Sequence, residues 1–152
     1  MAQLNANMIL ADELDENNFI KKEHEEFKFL TKSQCEVKWH IVILSDVLFD
    51  IDEEVKNISV GFRMFYLGKD KKIKLEGNRL NFPIVEKDML YTEITKPFNK
   101  KIFTKRTNIE VSTVFPGEGE YAMILLKNNE NEDSDIDSEI LDIKIISVQF
   151  TD

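Results

Sequence analysis

Asp133, Asp135, Asp137 and Glu139 alternate through the acidic stretch 128–139. Carboxylates at that spacing are a ligand pattern for a hard cation such as calcium. The twelve-residue helix–loop–helix calcium pattern fails here, however. Counted from Asp133, Ser138 stands where glycine is required, and Lys144 occupies the place of the bidentate glutamate. A second acidic stretch, 46–54, carries Asp46, Asp50, Asp52, Glu53 and Glu54. The two stretches are expected to be loops that meet at one end of the fold. The ordinary state of so many carboxylates is a solvated surface, so no metal or other cofactor is expected.

The remaining reactive side chains are sparse. His24 and His40 are the only histidines, and His24-Glu-Glu-Phe-Lys28 lacks the second histidine of a zinc-protease helix. His40 has the opposite strand parity to Trp39, as a partly exposed residue would. Cys35 is the only cysteine, which excludes an internal disulfide and a four-cysteine zinc site. With only Lys38 nearby in sequence, it reads as a buried or edge thiol and not as a nucleophile. Gly117-Glu-Gly119 lacks the third glycine and following helix of a dinucleotide site, and no nucleophile elbow, phosphate loop or kinase signature occurs. The chain is not expected to be an enzyme.

The 152 residues set the background for these groups. One domain spanning 1–152 is the expectation, long enough to bury a single core. A charged fraction of 32% and a net charge of −9 predict a well-solvated protein repelled by nucleic acid and by anionic membranes, and attracted to basic protein surfaces. The basic stretches 69–74 and 96–106 contain few aromatics beyond Phe98 and Phe103. They suit a lysine-protected sheet edge better than a nucleic-acid patch. The N-terminus lacks the basic head and apolar stretch of a signal peptide, and no apolar run approaches the ~18 residues of a membrane span, so the expected location is cytoplasmic.

Alternation of apolar and polar residues supplies the elements. Leu4, Ala6, Met8 and Leu10 mark a first strand, and the polar stretch 12–26 is expected to be a loop or marginal helix. Val37, Trp39, Ile41 and Ile43 form one face of the clearest strand, over 34–44. Ile58, Val60, Phe62, Met64 and Tyr66 repeat the pattern over 57–67. Residues 73–75 and 80–82 suggest a strand bent near Gly77, because their apolar positions do not keep one parity. Pro83 and Pro97 read as boundaries, with a short segment at 89–94 between them. Residues 100–106 read as a short basic edge strand. Ile109, Val111, Thr113 and Phe115 then define a strand that Pro116 stops, and an apolar run from Tyr121 to Leu126 follows as the second arm of a hairpin. A last strand over 140–150 shifts parity between Ile145 and Ile146, so it is either bulged or buried on both faces. The expected fold is all-β, an antiparallel sandwich of about seven or eight strands, with a small barrel as the runner-up.

Pro116-Gly-Glu-Gly-Glu-Tyr121, followed by an apolar strand, resembles the proline–glycine–tyrosine corner of immunoglobulin-like sandwiches. In those folds the tyrosine hydroxyl bonds back to nearby backbone. Two residues are inserted before Tyr121 here. Trp39 resembles their core tryptophan, while the paired cysteines of antibody domains are missing. The layout is similar to small immunoglobulin-like proteins of unknown function from bacteria and their phages. The resemblance implies the fold; the missing catalytic motifs and the acidic stretches lead to the expectation of a non-catalytic protein-interaction module, in its sharpest form an acidic phage or mobile-element inhibitor that covers a basic protein surface. The binding residues would be Asp46, Asp50, Asp52, Asp133, Asp135, Asp137 and Glu139. Two alternatives stand beside it: a loop-built calcium site similar to that of C2 domains, and a self-assembling structural protein.

Overall fold

The computed structural model describes residues 2–14, 16, 20–23, 28–68, 70, 72–73, 75–128 and 139–152, with backbone only at 13, 20–23 and 28. These residues form eleven strands and no helix: β1 (Gln3–Leu14), β2 (Ile20–Glu23), β3 (Lys28–Thr31), β4 (Glu36–Asp50), β5 (Ile58–Gly68), β6 (Leu75–Glu76), β7 (Leu80–Val85), β8 (Thr92–Ile94), β9 (Lys100–Val114), β10 (Gly119–Lys127) and β11 (Glu139–Phe150). One sheet has the order β2-β1-β4-β9-β8. The other has β3-β11-β10-β5-β6, with β7 also paired to β5. The sheets do not close into a barrel, which removes the runner-up architecture. One pair, β3·β11, is parallel, and every other pair is antiparallel.

Period-2 alternation places one core between the sheets. Met8 and Leu10 of β1, Trp39, Ile41, Ile43 and Phe49 of β4, and Phe103 of β9 are buried from one side. Val60 and Phe62 of β5, Tyr121, Met123 and Leu125 of β10, and Ile146 and Val148 of β11 meet them from the other, and all belong to one apolar cluster. At roughly 1.5–3 kcal/mol per fully buried large side chain, this set is the main stabilising term. β11 carries a bulge at its start, where Leu125 pairs with Asp142 but Leu126 pairs with Ile140, leaving Leu141 as the extra residue. The expected irregularity between Ile145 and Ile146 is not there: the register is continuous, and Ile143 and Ile145 are simply apolar residues on the solvent face while Ile146 is buried.

Several expectations are corrected. Residues 100–114 are one strand, because Lys101 turns inward on the parity of Phe103 and so continues the alternation through the basic stretch. The arms flanking Pro116 are not a hairpin. β9 lies in one sheet and β10 in the other, so residues 115–118 carry the chain across the core. Pro83 is no boundary but an internal residue of β7, opposite Ser59, on a strand with β5 as its only partner among the described residues, so its missing N–H costs no ladder bond. The stretch 12–26 is neither helix nor simple loop where it is described: β1 runs on to Leu14 and β2 pairs with it. Likewise Asp46 to Asp50 is strand and not loop.

The crossover is held by two tyrosines. Tyr121 is fully buried, and its hydroxyl donates to the Gly117 carbonyl at 2.7 Å and accepts from the Gly117 N–H at 3.2 Å. The hydroxyl therefore bonds back across the two inserted residues. Tyr66 stacks on it with ring centroids 4.7 Å apart and donates to the Glu118 carbonyl at 2.7 Å. Phe115 packs edge-on against Tyr121, Phe29 lies against Phe115, and Trp39 packs edge-on against Phe29. Trp39 also donates through Nε1 to Thr113 Oγ1 at 3.2 Å, so this aromatic row is tied to β9.

Burial pushes the Tyr121 phenol from 10.0 up to about 12, against the opposing bond from Gly117. A folded-state pKa raised above the unfolded one contributes stability that is complete below pH ~10 and is lost as pH rises towards ~12. Tyr121→Phe should cost about 1–2 kcal/mol at pH 8, through the lost hydroxyl bonds. It should also flatten the alkaline decline relative to the parent. Urea denaturation of both proteins at pH 8 and near pH 11 checks this; an unchanged pH slope would remove Tyr121 as the alkaline trigger.

Candidate interaction site at one end of the sheets

The end where β4 turns into β5 is built from residues 51–57, the start of β5, the end of β10 and the start of β11. Lys127 pairs with Val60 on one side and with Glu139 on the other, so the acidic segment 129–138 leaves and re-enters the fold at this end. Its entry point is fixed by a polar cluster. The Asn128 N–H donates to the Ser59 carbonyl at 3.2 Å, and its side-chain amide donates to Ser59 Oγ at 2.9 Å and Asn81 Oδ1 at 3.0 Å. Arg79 donates to Asn128 Oδ1. Gly61 makes this possible, because an added Cβ there would run into the Arg79 guanidinium.

The neighbouring turn is equally well tied. The Asp50 N–H donates to Glu53 Oε1 at 3.1 Å, and the Glu53 N–H returns a bond to the Asp50 carbonyl at 3.0 Å. Lys100 pairs with the Asp50 carboxylate, and Lys101, largely buried, donates to the Glu53 carbonyl at 2.6 Å. Both carboxyls sit below their usual range, Asp50 through its bond to Lys100 and Glu53 through the Asp50 N–H. An open cleft of about 520 Å³ lies between the turn and the acidic segment's root, lined by Glu54, Val55, Lys56, Asn57, Ser59, Lys87 and Asn128.

The sequence-derived binding residues divide clearly. Asp52 is exposed in the turn and Glu139 is exposed at the start of β11, so both belong to this end. Asp50 also stands here, but Lys100 engages it. Asp46 does not belong: it is paired with Thr104 and Asn5 within the sheet, four residues or roughly 13 Å of strand from Asp50. Asp133, Asp135 and Asp137 lie outside the described residues, as does His24. His40 is half-buried on β4, opposite Glu110, and Cys35 is exposed. Among the described residues no three His, Cys, Asp or Glu side chains are grouped to hold a metal. Among the described residues no helix is long and apolar enough to cross a membrane.

Sequence reasoning missed Asn128, Asn81, Arg79, Lys87 and Lys101 at this end. For Lys101 the signal was present, since it shares the parity of the apolar Phe103. The amide cluster carries no such signal, because Asn81 and Asn128 are 47 residues apart and look like ordinary loop residues.

Asn128→Ala removes the side-chain bonds to Ser59, Asn81 and Arg79 together. It should destabilise the protein by about 1–3 kcal/mol in chemical denaturation. A loss below about 0.5 kcal/mol, the level of an ordinary surface change, would show that the cluster does not anchor this end.

No family model matches the chain, and no curated protein is significantly similar to it.

Proposed function

We propose that this chain is an immunoglobulin-like sandwich that works as a non-catalytic protein-interaction module, covering a basic surface on a partner protein with its acidic end. The observation that carries the reading is the convergence of the β4–β5 turn with both roots of the acidic segment, Asn128 and Glu139, at one end of the sheets. The segment joining those roots, 129–138, carries five carboxylates, and Asp52, Glu54 and Glu139 are exposed at the same end. An acidic region of this kind steers a basic partner during encounter and discriminates against acidic ones. The immunoglobulin-like assignment rests on the hydroxyl pin of Tyr121 and on Trp39 in the core. The calcium-binding alternative is weakened by Asp46, which is a strand residue, and by Asp50, which already pairs with Lys100.

The test is a tagged pull-down at low and high salt with three proteins: the parent, D133K/D135K/D137K and D52K/E54K. The expected outcome is a partner with a basic surface, captured at low salt, released at high salt and lost in both variants. Capture that survives the triple reversal at low salt would reject the acidic end as the contact surface.

A further inference from the structure

β9 pairs with β4 along its entire length, from Lys100 opposite Asp50 to Val114 opposite Glu36, without one register shift. Its outer edge is treated differently. β8 covers only Lys100, Lys101 and Ile102. From 103 to 114 no strand among the described residues pairs with it. The undescribed segments leave from β1, β2, β3, β5, β6, β10 and β11, none of which neighbours β9 in its sheet. About half of the residues on such an edge point both N–H and C=O outward. This stretch has no proline and no bulge, and its protection is left to the charges of Lys105, Arg106 and Glu110.

The side chains along the edge are self-complementary. Residues facing one another across an antiparallel pair share a face of the sheet, and a two-fold axis normal to the sheet puts one residue opposite its own copy. With Asn108 on the axis, Arg106 faces Glu110 of the second copy, twice by symmetry, and Thr104 faces Ser112. Centring on Arg106 or on Glu110 opposes like charges, and centring on Thr107 or Ile109 leaves both charges without an opposite. The Arg106 guanidinium is already oriented along this row, its Nε donating to Asn108 Oδ1 at 3.1 Å. The length also fits. The register about Asn108 pairs 103 with 113 and ends where β8 begins to cover the strand. On the inner face, half-buried Ile109 and Val111 are brought opposite Thr107 and Lys105.

We infer that the outer edge of β9 is a homodimer interface, in which two copies of this chain join antiparallel about Asn108 and merge their five-stranded sheets into one. The −9 charge of each copy opposes association only weakly at physiological salt, where the screening length is about 8 Å.

Sedimentation equilibrium of the full chain at physiological salt, from micromolar to hundreds of micromolar, should give twice the chain mass. Arg106→Glu and Glu110→Arg alone should each weaken the dimer at least about tenfold by opposing like charges, and the double swap R106E/E110R should restore it. Should either single variant lose its far-UV circular dichroism spectrum, Asn108→Lys, at an exposed position, puts like charges on the axis and should give monomer. A monomeric parent throughout, single reversals that leave the dimer intact, a double swap that stays monomeric, or a mass that climbs past two chains overturns the proposal.

Discussion

The fold depends on how the chain passes from one sheet to the other between β9 and β10. β10 lies between two strands and β9 pairs with β4 along its whole length, so an error in the crossover would shift two registers at once. Pro116 ends the ladder of β9 because it has no N–H to give. Gly119 has φ of +124°, and its Cα side lies against the Gly68 backbone, where a Cβ would be 2.8 Å from the nearest atom. Backbone groups stripped of ladder partners inside a fold cost free energy unless something else bonds them. Tyr121 serves Gly117, Tyr66 serves the Glu118 carbonyl, and the Glu118 carboxylate accepts from the Phe150 N–H at 2.8 Å. The corner is thus satisfied from β5, β10 and β11 at once, which fixes the rest of the core against it.

A two-sheet fold keeps edges, and this one treats them unequally. On β1 the Met8 N–H donates to Asp142 Oδ2 at 2.9 Å, a carboxylate of the opposite sheet placed beside the first sheet's margin. β3 adds a short parallel strand over the end of β11, from Ser147 to Phe150. β7 carries Pro83, whose carbonyl accepts from Lys105 Nζ at 2.7 Å and so ties the two sheets together. Each device uses up hydrogen-bonding capacity that another chain would otherwise find. Among the described residues no strand pairs with the far half of β9, which sets it apart from the other margins.

Alternation was legible because each strand has one dry face. β1, β4, β5 and the second half of β9 were visible from apolar residues two apart, β10 from an apolar run and β11 from an apolar stretch of shifting parity, and Trp39 and Tyr121 were recognisable by resemblance as sandwich aromatics. Period 2 does not say which strand is the neighbour, so a crossover and a hairpin look alike around Pro116. It also reads outward-facing strand carboxylates and loop carboxylates identically, and this is how Asp46 came to be grouped with Asp52. Lysine misled in a third way. Its long stem lets a charged head reach a carbonyl from an inward position, so Lys101 and Lys105 looked like solvated edge residues while bonding Glu53 and Pro83. The parallel docking of β3 had no local signature, because its partner is more than a hundred residues away in sequence.

The electrostatics of the acidic end separate two kinds of carboxylate. Asp50 and Glu53 are held ionised below the ordinary carboxylate range by Lys100 and by a backbone N–H, respectively. A carboxylate paired in contact with a lysine projects little field beyond a Debye length, so Asp50 shapes the turn and adds little to long-range attraction. The field at this end falls instead to Asp52, Glu54 and Glu139, which are exposed. Because the shifts at Asp50 and Glu53 are downward, mild acidification leaves the turn's internal bonds charged and in place. The association proposed for this end is therefore expected to respond to ionic strength more than to pH across the physiological range.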